Sequence, residues 1–272
     1  MDKTTALGII LGVGAVLLGA VLDQTRLESL LSLPAFFIVI GGTLGATIAS
    51  NPTTEVMRLP ALLRTALVEK SIPAGELVDL FVDLATRARK DGVLSLEADA
   101  ARLPDAFLRK GLQLVVDGAD EEIIRQVLEA DIAATRERHR TGYTMFDTMG
   151  GFAPTLGILG AVLGLIHVLS QVDDPSKLAA GIAVAFVATL YGVGSANLIF
   201  FPLANKLRSR SEAEEQLRHL MLQGILAIQA GDNPRIVRDK LEVYLAPSKR
   251  SDSTAAASSA PRSMPATRTE AA

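Results

Sequence analysis

The chain has 272 residues, of which 49% are hydrophobic and 4% aromatic, with no tryptophan, no cysteine and a formal net charge of −3. These numbers exclude disulfides, thiol catalysis and Cys-based metal sites, and they give no basic field for binding nucleic acid. The three histidines are too scattered along the sequence to predict a zinc site. The apolar content is Leu, Ala, Val, Ile and Gly, which is typical of closely packed membrane helices.

Four uncharged apolar stretches approach or exceed the roughly 20 residues that a helix needs to cross a bilayer. They cover residues 4–22, 33–50, 148–170 and 178–203. We therefore predict an all-α polytopic membrane protein with four transmembrane helices and a helical cytoplasmic domain. The first span is interpreted as a retained helix, because its N-terminal region is weakly charged and no clear cleavage motif precedes Asp23.

The predicted organisation is a transmembrane hairpin (1–50), a cytoplasmic helical loop (51–147), a second hairpin (148–203), C-terminal cytoplasmic helices (204–246) and a disordered tail (247–272). The loop joining the spans of each hairpin carries a single basic residue, Arg26 or Lys177. Residues 51–147 carry thirteen Lys or Arg, and the chain from residue 204 onward carries eleven. The positive-inside rule therefore predicts that both termini and the long loop are cytoplasmic.

Helical patterns fill the predicted cytoplasmic part. The clearest lies between Pro73 and Gly92, and further helices are predicted over 105–116, from 120 into the third span, over 204–230 and over 234–245. The first of these carries an apolar stripe at helical spacing, formed by Leu77, Leu80, Phe81, Leu84 and Ala88.

Small residues recur at steps of three and four in all four spans. In spans three and four we predict helix packing through Gly157, Gly160, Gly164, Gly181 and Gly192. Lipid provides no hydrophobic drive between helices, so close approach through small residues is how such spans associate. The stripes could simply pack one chain together. Four of them exceed what one hairpin pair requires, and they predict a homo-oligomer or a partner helix.

No Asp, Glu, Lys or Arg lies within any predicted span, and His167 stands near the outer end of the third. A protein that moves ions by itself usually keeps an ionisable group inside the membrane. If this chain serves an ion-driven machine, the carboxylate must come from another chain. A self-sufficient channel is the alternative, and steady ion flux through the reconstituted chain alone would support it.

Three segments resemble the MotA-type stator subunits of the bacterial flagellar motor, within the MotA/TolQ/ExbB proton channel family. They are GFAPTLGILGAVLGLIHVL (151–169), DDPSKLAAGIAVAFVATLYGVGSANLIFFPLANKL (173–207) and the cytoplasmic ARKDGVLSLE (88–97). TolQ and ExbB proteins share the pattern of spans three and four, but they begin with one span where this chain begins with two. A TolQ/ExbB-like subunit of another ion-powered envelope complex is the alternative function.

The resemblance implies a non-enzymatic subunit of the bacterial inner membrane, without a cofactor, that couples ion flow to flagellar rotation. Five copies would surround a dimer of a MotB-type partner, a single-span protein anchored to peptidoglycan that supplies the ion-carrying aspartate. The rotor switch protein FliG would contact two charges that fall on Arg89 and Glu97, with Lys90 beside them. Without the resemblance, these three residues would be interpreted as a solvated helix face.

The resemblance also places ion-pathway and gating positions on Pro154, Ala161, Thr189 and Pro202. A proline inside a helix removes a backbone donor and loosens the helix, although Pro154 could also be a first-turn proline. The Thr189 hydroxyl could line a water chain or bond back to its own helix. Members that use sodium usually carry a threonine at the position of Ala161. Its alanine therefore indicates protons, with sodium not excluded.

Overall fold

The computed structural model describes residues 3–67, 73–170 and 175–245, and every regular element within them is helical. The predicted all-α fold is confirmed. The predicted tail (247–272) and residues 171–174 of the loop after the third span lie outside the described residues. Within the described residues, four helical segments are long and apolar enough to cross a membrane: Thr4–Leu22, Leu27–Ser50, and parts of Glu121–Leu169 and Gly181–Gln229.

The first two spans are built differently from each other. The first is a single helix, α1 (Lys3–Leu22), and a one-turn 3-10 helix follows at Leu27–Leu30. The second consists of α2 (Leu33–Phe36), a π-helical stretch (Phe37–Gly41) and α3 (Gly42–Ser50). It begins where the sequence predicts, because the Ser32 side chain accepts a hydrogen bond from the Ala35 N–H.

Spans three and four belong to two long helices. The third span forms the last part of α9 (Glu121–Leu169). The fourth consists of α10 (Pro175–Ser195), a π-helical stretch at Ala196–Phe200 and the start of α11 (Phe201–Gln229). The remaining α-helices are shorter than α9 and α11. They are α4 (Thr53–Val56), α5 (Leu59–Leu67), α6 (Ala74–Asp91), α7 (Glu97–Arg102), α8 (Ala106–Val116) and α12 (Pro234–Glu242).

The chain divides into two compact units. The first, which we call the span unit, comprises residues 1–71 and 129–216, and the second, the small unit, comprises residues 72–128 and 217–272. Both α9 and α11 contribute residues to each unit. The core of the span unit includes two clusters. One is made of small residues between the spans: Ala35, Val39, Ala153, Val187, Ala188 and Ala196. The other contains larger side chains as well: Ala66, Phe146, Met149, Leu203, Ala204 and Leu207.

The small unit has a conventional apolar core, to which α6, α8 and the α11 part of the unit contribute. Leu77, Phe81 and Leu84 of the predicted stripe are buried, whereas Leu80 and Ala88 are only half-buried. Val78 and Ala85 are buried in their place, because α12 packs against α6 as well. The α11 part of this unit also lies close to α6, since a methyl group on Gly224 would lie 2.5 Å from the Phe81 ring.

Candidate functional sites

The third and fourth spans meet backbone to backbone at Gly157 and Gly192. A methyl group on Gly192 would lie 2.5 Å from the carbonyl oxygen of Ala153 and 3.0 Å from the Cα of Gly157. A methyl group on Gly157 would lie 3.0 Å from the carbonyl oxygen of Ala188. No side chain fits between the helices at this crossing, so glycine is required on both sides.

The other three predicted packing glycines lie along the same helix pair. A methyl group on Gly160 would lie 2.8 Å from the Cβ of Ala188, and one on Gly164 would lie 2.9 Å from the Cβ of Ala185. Gly181 faces the side chain of Val168. The structure thus brings all five glycines into the contact between α9 and α10.

The stripes of the first two spans behave differently. Gly12 faces Leu198, but several other glycines have open space around the position of a side chain: Gly8, Gly19, Gly41 and Gly45. Within the described part of the chain, these four positions therefore remain uncovered, and they are available to lipid or to another subunit.

Pro154 lies inside α9, far from its first turn at Glu121. The chain therefore lacks the N–H that would bond the carbonyl of Gly150 one turn earlier. Gly150 packs against the ring of Phe201, since a methyl group there would lie 2.5 Å from it. Phe201 directly precedes Pro202, so the two prolines occupy neighbouring turns of adjacent helices.

Pro202 follows the π-helical stretch Ala196–Phe200 at the start of α11. The N–H of Phe201 donates to the carbonyl of Ala196, which is the wider hydrogen bond of a π-turn. The next residue is proline and has no N–H to donate. The widened turn accommodates this gap, and such π-turns inside helices are frequent at functional sites.

Thr189 lies half-buried at the crossing, with its Cα 3.3 Å from where a methyl group on Gly157 would be. Its hydroxyl has no hydrogen-bond partner among the described residues. By contrast, Thr43 and Thr47 in the second span donate to the carbonyls of Val39 and Thr43, at 2.5 Å and 2.7 Å. Ala161 is also half-buried, one turn beyond Gly157 on α9.

The three predicted rotor-contact residues lie in the small unit on either side of a tight turn. Arg89 and Lys90 are in the last turn of α6, and Glu97 is the first residue of α7. Between them, Gly92 adopts a φ of 86° and residues Val93–Leu96 form a 3-10 turn. All three charged side chains are exposed, and none has an ion-pair partner within residues 73–128 or the other described ranges.

Arg87 ties the two helices together across this turn. Its guanidinium donates to the carboxylate of Asp99 in α7 at 2.6 Å and also to that of Asp83 in α6. The hydrogen bond to Asp83, with the negative charges of Asp83 and Asp99, raises the pKa of Arg87. The sequence did not predict this bridge, which joins α7 to the last part of α6.

Comparison with known proteins shows which family the chain belongs to. The model of the MotA/TolQ/ExbB proton channel family matches residues 99–246, and the motility protein A N-terminal model matches residues 6–92. The chain belongs to the MotA/TolQ/ExbB proton channel family. Membership makes it a channel-type motor subunit that crosses the inner membrane several times, and not an enzyme.

Individual relatives also align with this chain over most of its length. It is 40% identical to motility protein A of Bacillus subtilis, over 90% of this chain and 91% of the relative. The flagellar MotAB stator complex from Bacillus subtilis aligns with a TM-score of 0.88 at 39% identity, covering 92% of this chain and 98% of that one. The structure of C. jejuni MotAB aligns with a TM-score of 0.87 at 28% identity, covering 90% and 96%.

One pair of charged residues near the prolines was not predicted for this MotA/TolQ/ExbB protein. Arg208 of α11 donates to the carboxylate of Asp147 of α9 at 2.6 Å, and its guanidinium lies 5.0 Å from the ring centre of Tyr143. Asp147 is the last charged residue before the third span, and Arg208 is the second after the fourth. Opposite charges at the matching ends of two adjacent spans are the sequence signal that could have revealed this pair.

Tyr191 is a second residue that sequence reasoning missed. Its hydroxyl donates to the carbonyl of Leu30 at 2.6 Å and accepts from the N–H of Ser32 at 3.3 Å. The fourth span therefore holds the turn that joins the first two. The signal was the single tyrosine of the fourth span, whose other aromatic residues are all phenylalanine.

Proposed function

We propose that this chain is the stator subunit of a flagellar motor, which couples a flow of protons to torque on the rotor. The observation that carries the proposal is the α9–α10 crossing. There a glycine contact between backbones lies beside two prolines, in spans that hold no Asp, Glu, Lys or Arg. Such a crossing can yield to a small force, but it contains no residue that carries charge through the membrane.

The missing carboxylate is proposed to come from a MotB-type partner with one membrane span and a peptidoglycan anchor. A dimer of this partner would stand inside a ring of five copies of the chain. Support comes from the large apolar side chains of the third span, which are exposed in a single chain: Ile158, Leu159, Val162, Leu163, Leu165, Ile166 and Leu169. A partner helix and neighbouring copies would cover part of this surface.

Protons are the proposed ion because the site offers few oxygens for a bare cation. Ala161 has none, Thr189 contributes a single hydroxyl, and the nearby Ser195 hydroxyl already donates to the carbonyl of Gly192 at 3.2 Å. A hydroxyl without a partner in its own helix can join a water chain that passes protons. Sodium would need several oxygen ligands in place of its hydration shell.

The energy released by each ion is proposed to drive a small conformational step. One charge crossing 100 mV releases about 2.3 kcal/mol, which is enough for a small step of an already loosened helix. Pro154 and Pro202 are proposed as the points at which the helices lining the ion path bend. Because α9 and α11 continue into the small unit, one pair of helices links the ion path to Arg89, Lys90 and Glu97.

The small unit is proposed to contact the rotor switch protein FliG through these three charges. This requires both termini and residues 51–147 to be cytoplasmic, as the distribution of Lys and Arg predicts. The match of residues 6–92 to the motility protein A N-terminal model favours this function over a TolQ/ExbB-like complex.

The test is complementation of a flagellated strain that lacks its own motility protein A. Swimming should be restored when this chain is produced with its MotB-type partner, and not when either is produced alone. The charge-reversal variants Arg89→Glu and Glu97→Lys should reduce swimming while membrane levels stay constant. Steady proton flux in vesicles that contain this chain alone would instead support a self-sufficient channel. It would contradict the proposal that the partner supplies the carboxylate.

A further inference from the structure

A large apolar side chain lies in the turn between the three charged residues that are proposed to contact the rotor. Leu94 is 73% exposed, and it lies in the turn between Arg89 and Lys90 on one side and Glu97 on the other. Leu96, two residues later in the same turn, is fully buried. The turn therefore has one leucine that anchors it to the core and one that faces outward.

The turn that presents Leu94 is held in place by its own hydrogen bonds. The N–H and the hydroxyl of Ser95 both donate to the carbonyl of Gly92, at 3.1 Å and 2.6 Å. The Arg87–Asp99 bridge holds the helices on either side. Binding through Leu94 would thus cost little ordering of the backbone, which is a property of preorganised contact surfaces.

Exposed charges alone make a weak contact. Ion pairs in water are screened within about 8 Å at physiological ionic strength and contribute little affinity, although they steer association. Stable contacts instead have an apolar centre that is surrounded by a polar rim. Leu94 among three exposed charges that lack ion-pair partners in the described residues matches that arrangement on one small surface.

We propose that Leu94 is the apolar anchor of the contact with the rotor, an inference that rests on the proposed function. The partner surface would present an apolar recess, with acidic side chains toward Arg89 and Lys90 and a basic side chain toward Glu97. The charges then set orientation and the rate of encounter, while Leu94 supplies the part of the affinity that salt does not screen.

Single exposed apolar residues are common on proteins, so a matched control is needed. Ile236 provides it in the same unit. It is 47% exposed on α12, and Arg238 of that helix donates to Asp79 in the first half of α6 at 2.8 Å. Truncating Ile236 removes a comparable apolar group, but one that lies outside the turn between Arg89 and Glu97.

The experiment measures binding of purified FliG to the full chain, assembled with its MotB-type partner in lipid nanodiscs, at low and at physiological salt. Leu94→Ala should weaken binding about tenfold at both salt concentrations, as expected for burying a leucine. Leu94→Met should bind like wild type because it keeps the apolar volume. Arg89→Ala should lose affinity chiefly at low salt, and Ile236→Ala should bind normally.

If Leu94→Ala binds FliG with wild-type affinity while Arg89→Ala binds more weakly, Leu94 is not the anchor. The proposed function would be unaffected by that result. An equal loss in Ile236→Ala would also overturn the anchor, because the effect would then belong to the small unit as a whole. If the wild-type assembly does not bind FliG at all, the proposed rotor contact is wrong and the anchor with it.

Discussion

Gly192 lies directly against the carbonyl group of Ala153, the residue that precedes Pro154. A methyl group on Gly192 would lie 2.5 Å from that oxygen, well inside van der Waals contact. The fourth span thus crosses the third at the turn where α9 lacks a backbone hydrogen bond. Among the described residues, backbone atoms are the nearest neighbours of both glycines at this point, and we propose the crossing as the pivot of the span unit.

Replacing Gly192 with alanine should therefore separate the two spans. The added methyl group would force the backbones apart, and overpacking of this kind costs about 1–3 kcal/mol. We expect a lower thermal stability of the purified protein in detergent and a loss of swimming. Gly194→Ala is the control, because nothing lies within 4 Å of the position of its methyl group. Equal effects of the two substitutions would contradict a contact specific to Gly192.

Replacing Pro154 with alanine should stiffen α9 without unfolding it. Alanine restores an N–H that can bond the Gly150 carbonyl, and it is the better helix former by about 3 kcal/mol. We expect unchanged membrane levels and unchanged or higher thermal stability, but reduced torque on tethered cells. Thr155→Ala, an exposed change in the same turn, should leave torque unchanged. Disappearance of Pro154→Ala from the membrane would show that the proline is structural.

The Asp147–Arg208 pair should couple the two helices next to the prolines. Asp147→Arg or Arg208→Asp alone places two like charges together, and each should lower thermal stability and swimming. The double variant restores an opposite pair in reverse order, so it should recover part of both. Because both side chains are partly exposed, we expect a coupling energy of about 1 kcal/mol or less in the double-mutant cycle. Strictly additive losses would show that the pair is not coupled.

The fold was largely predictable from the sequence because the spans are long, uncharged and free of competing patterns. The buried face of α6 was predicted only in part, because its orientation depends on α12, which is distant in sequence. The π-helical stretches before Gly42 and Phe201 leave no clear periodic signal. Contacts such as Arg87–Asp99 and Asp147–Arg208 depend on which surface helices meet, and the spacing of charges along the chain does not determine that.

The Arg87–Asp99 bridge should position the rotor-contact charges. Asp99→Asn removes the charge that holds α7 to α6, and we expect reduced swimming with normal membrane levels. Asp79→Asn, which weakens the bond to Arg238 instead, is the control, and equal defects would argue against positioning.

The pKa of Arg87 is raised, so its contribution to stability is present below the unfolded pKa and lost only as pH rises through the folded one. Both values lie far above cellular pH. Between pH 6 and pH 9, roughly the range in which a protein is usually studied, deprotonation of Arg87 should therefore cause no step in thermal stability. A step in wild type that Arg87→Lys shifts to another pH would contradict this expectation.

Thr189 should act through its hydroxyl and not through its volume. Thr189→Val keeps the shape of the side chain and removes the oxygen, while Thr189→Ser keeps the oxygen and removes a methyl group. If the hydroxyl joins a proton-conducting water chain, valine should abolish swimming and serine should retain most of it, with both proteins at normal membrane levels. Swimming speed measured while the proton gradient and external sodium are varied separately distinguishes the ions. Equal activity of the valine and serine variants would remove Thr189 from the ion path, and speed that follows sodium would overturn the assignment of protons.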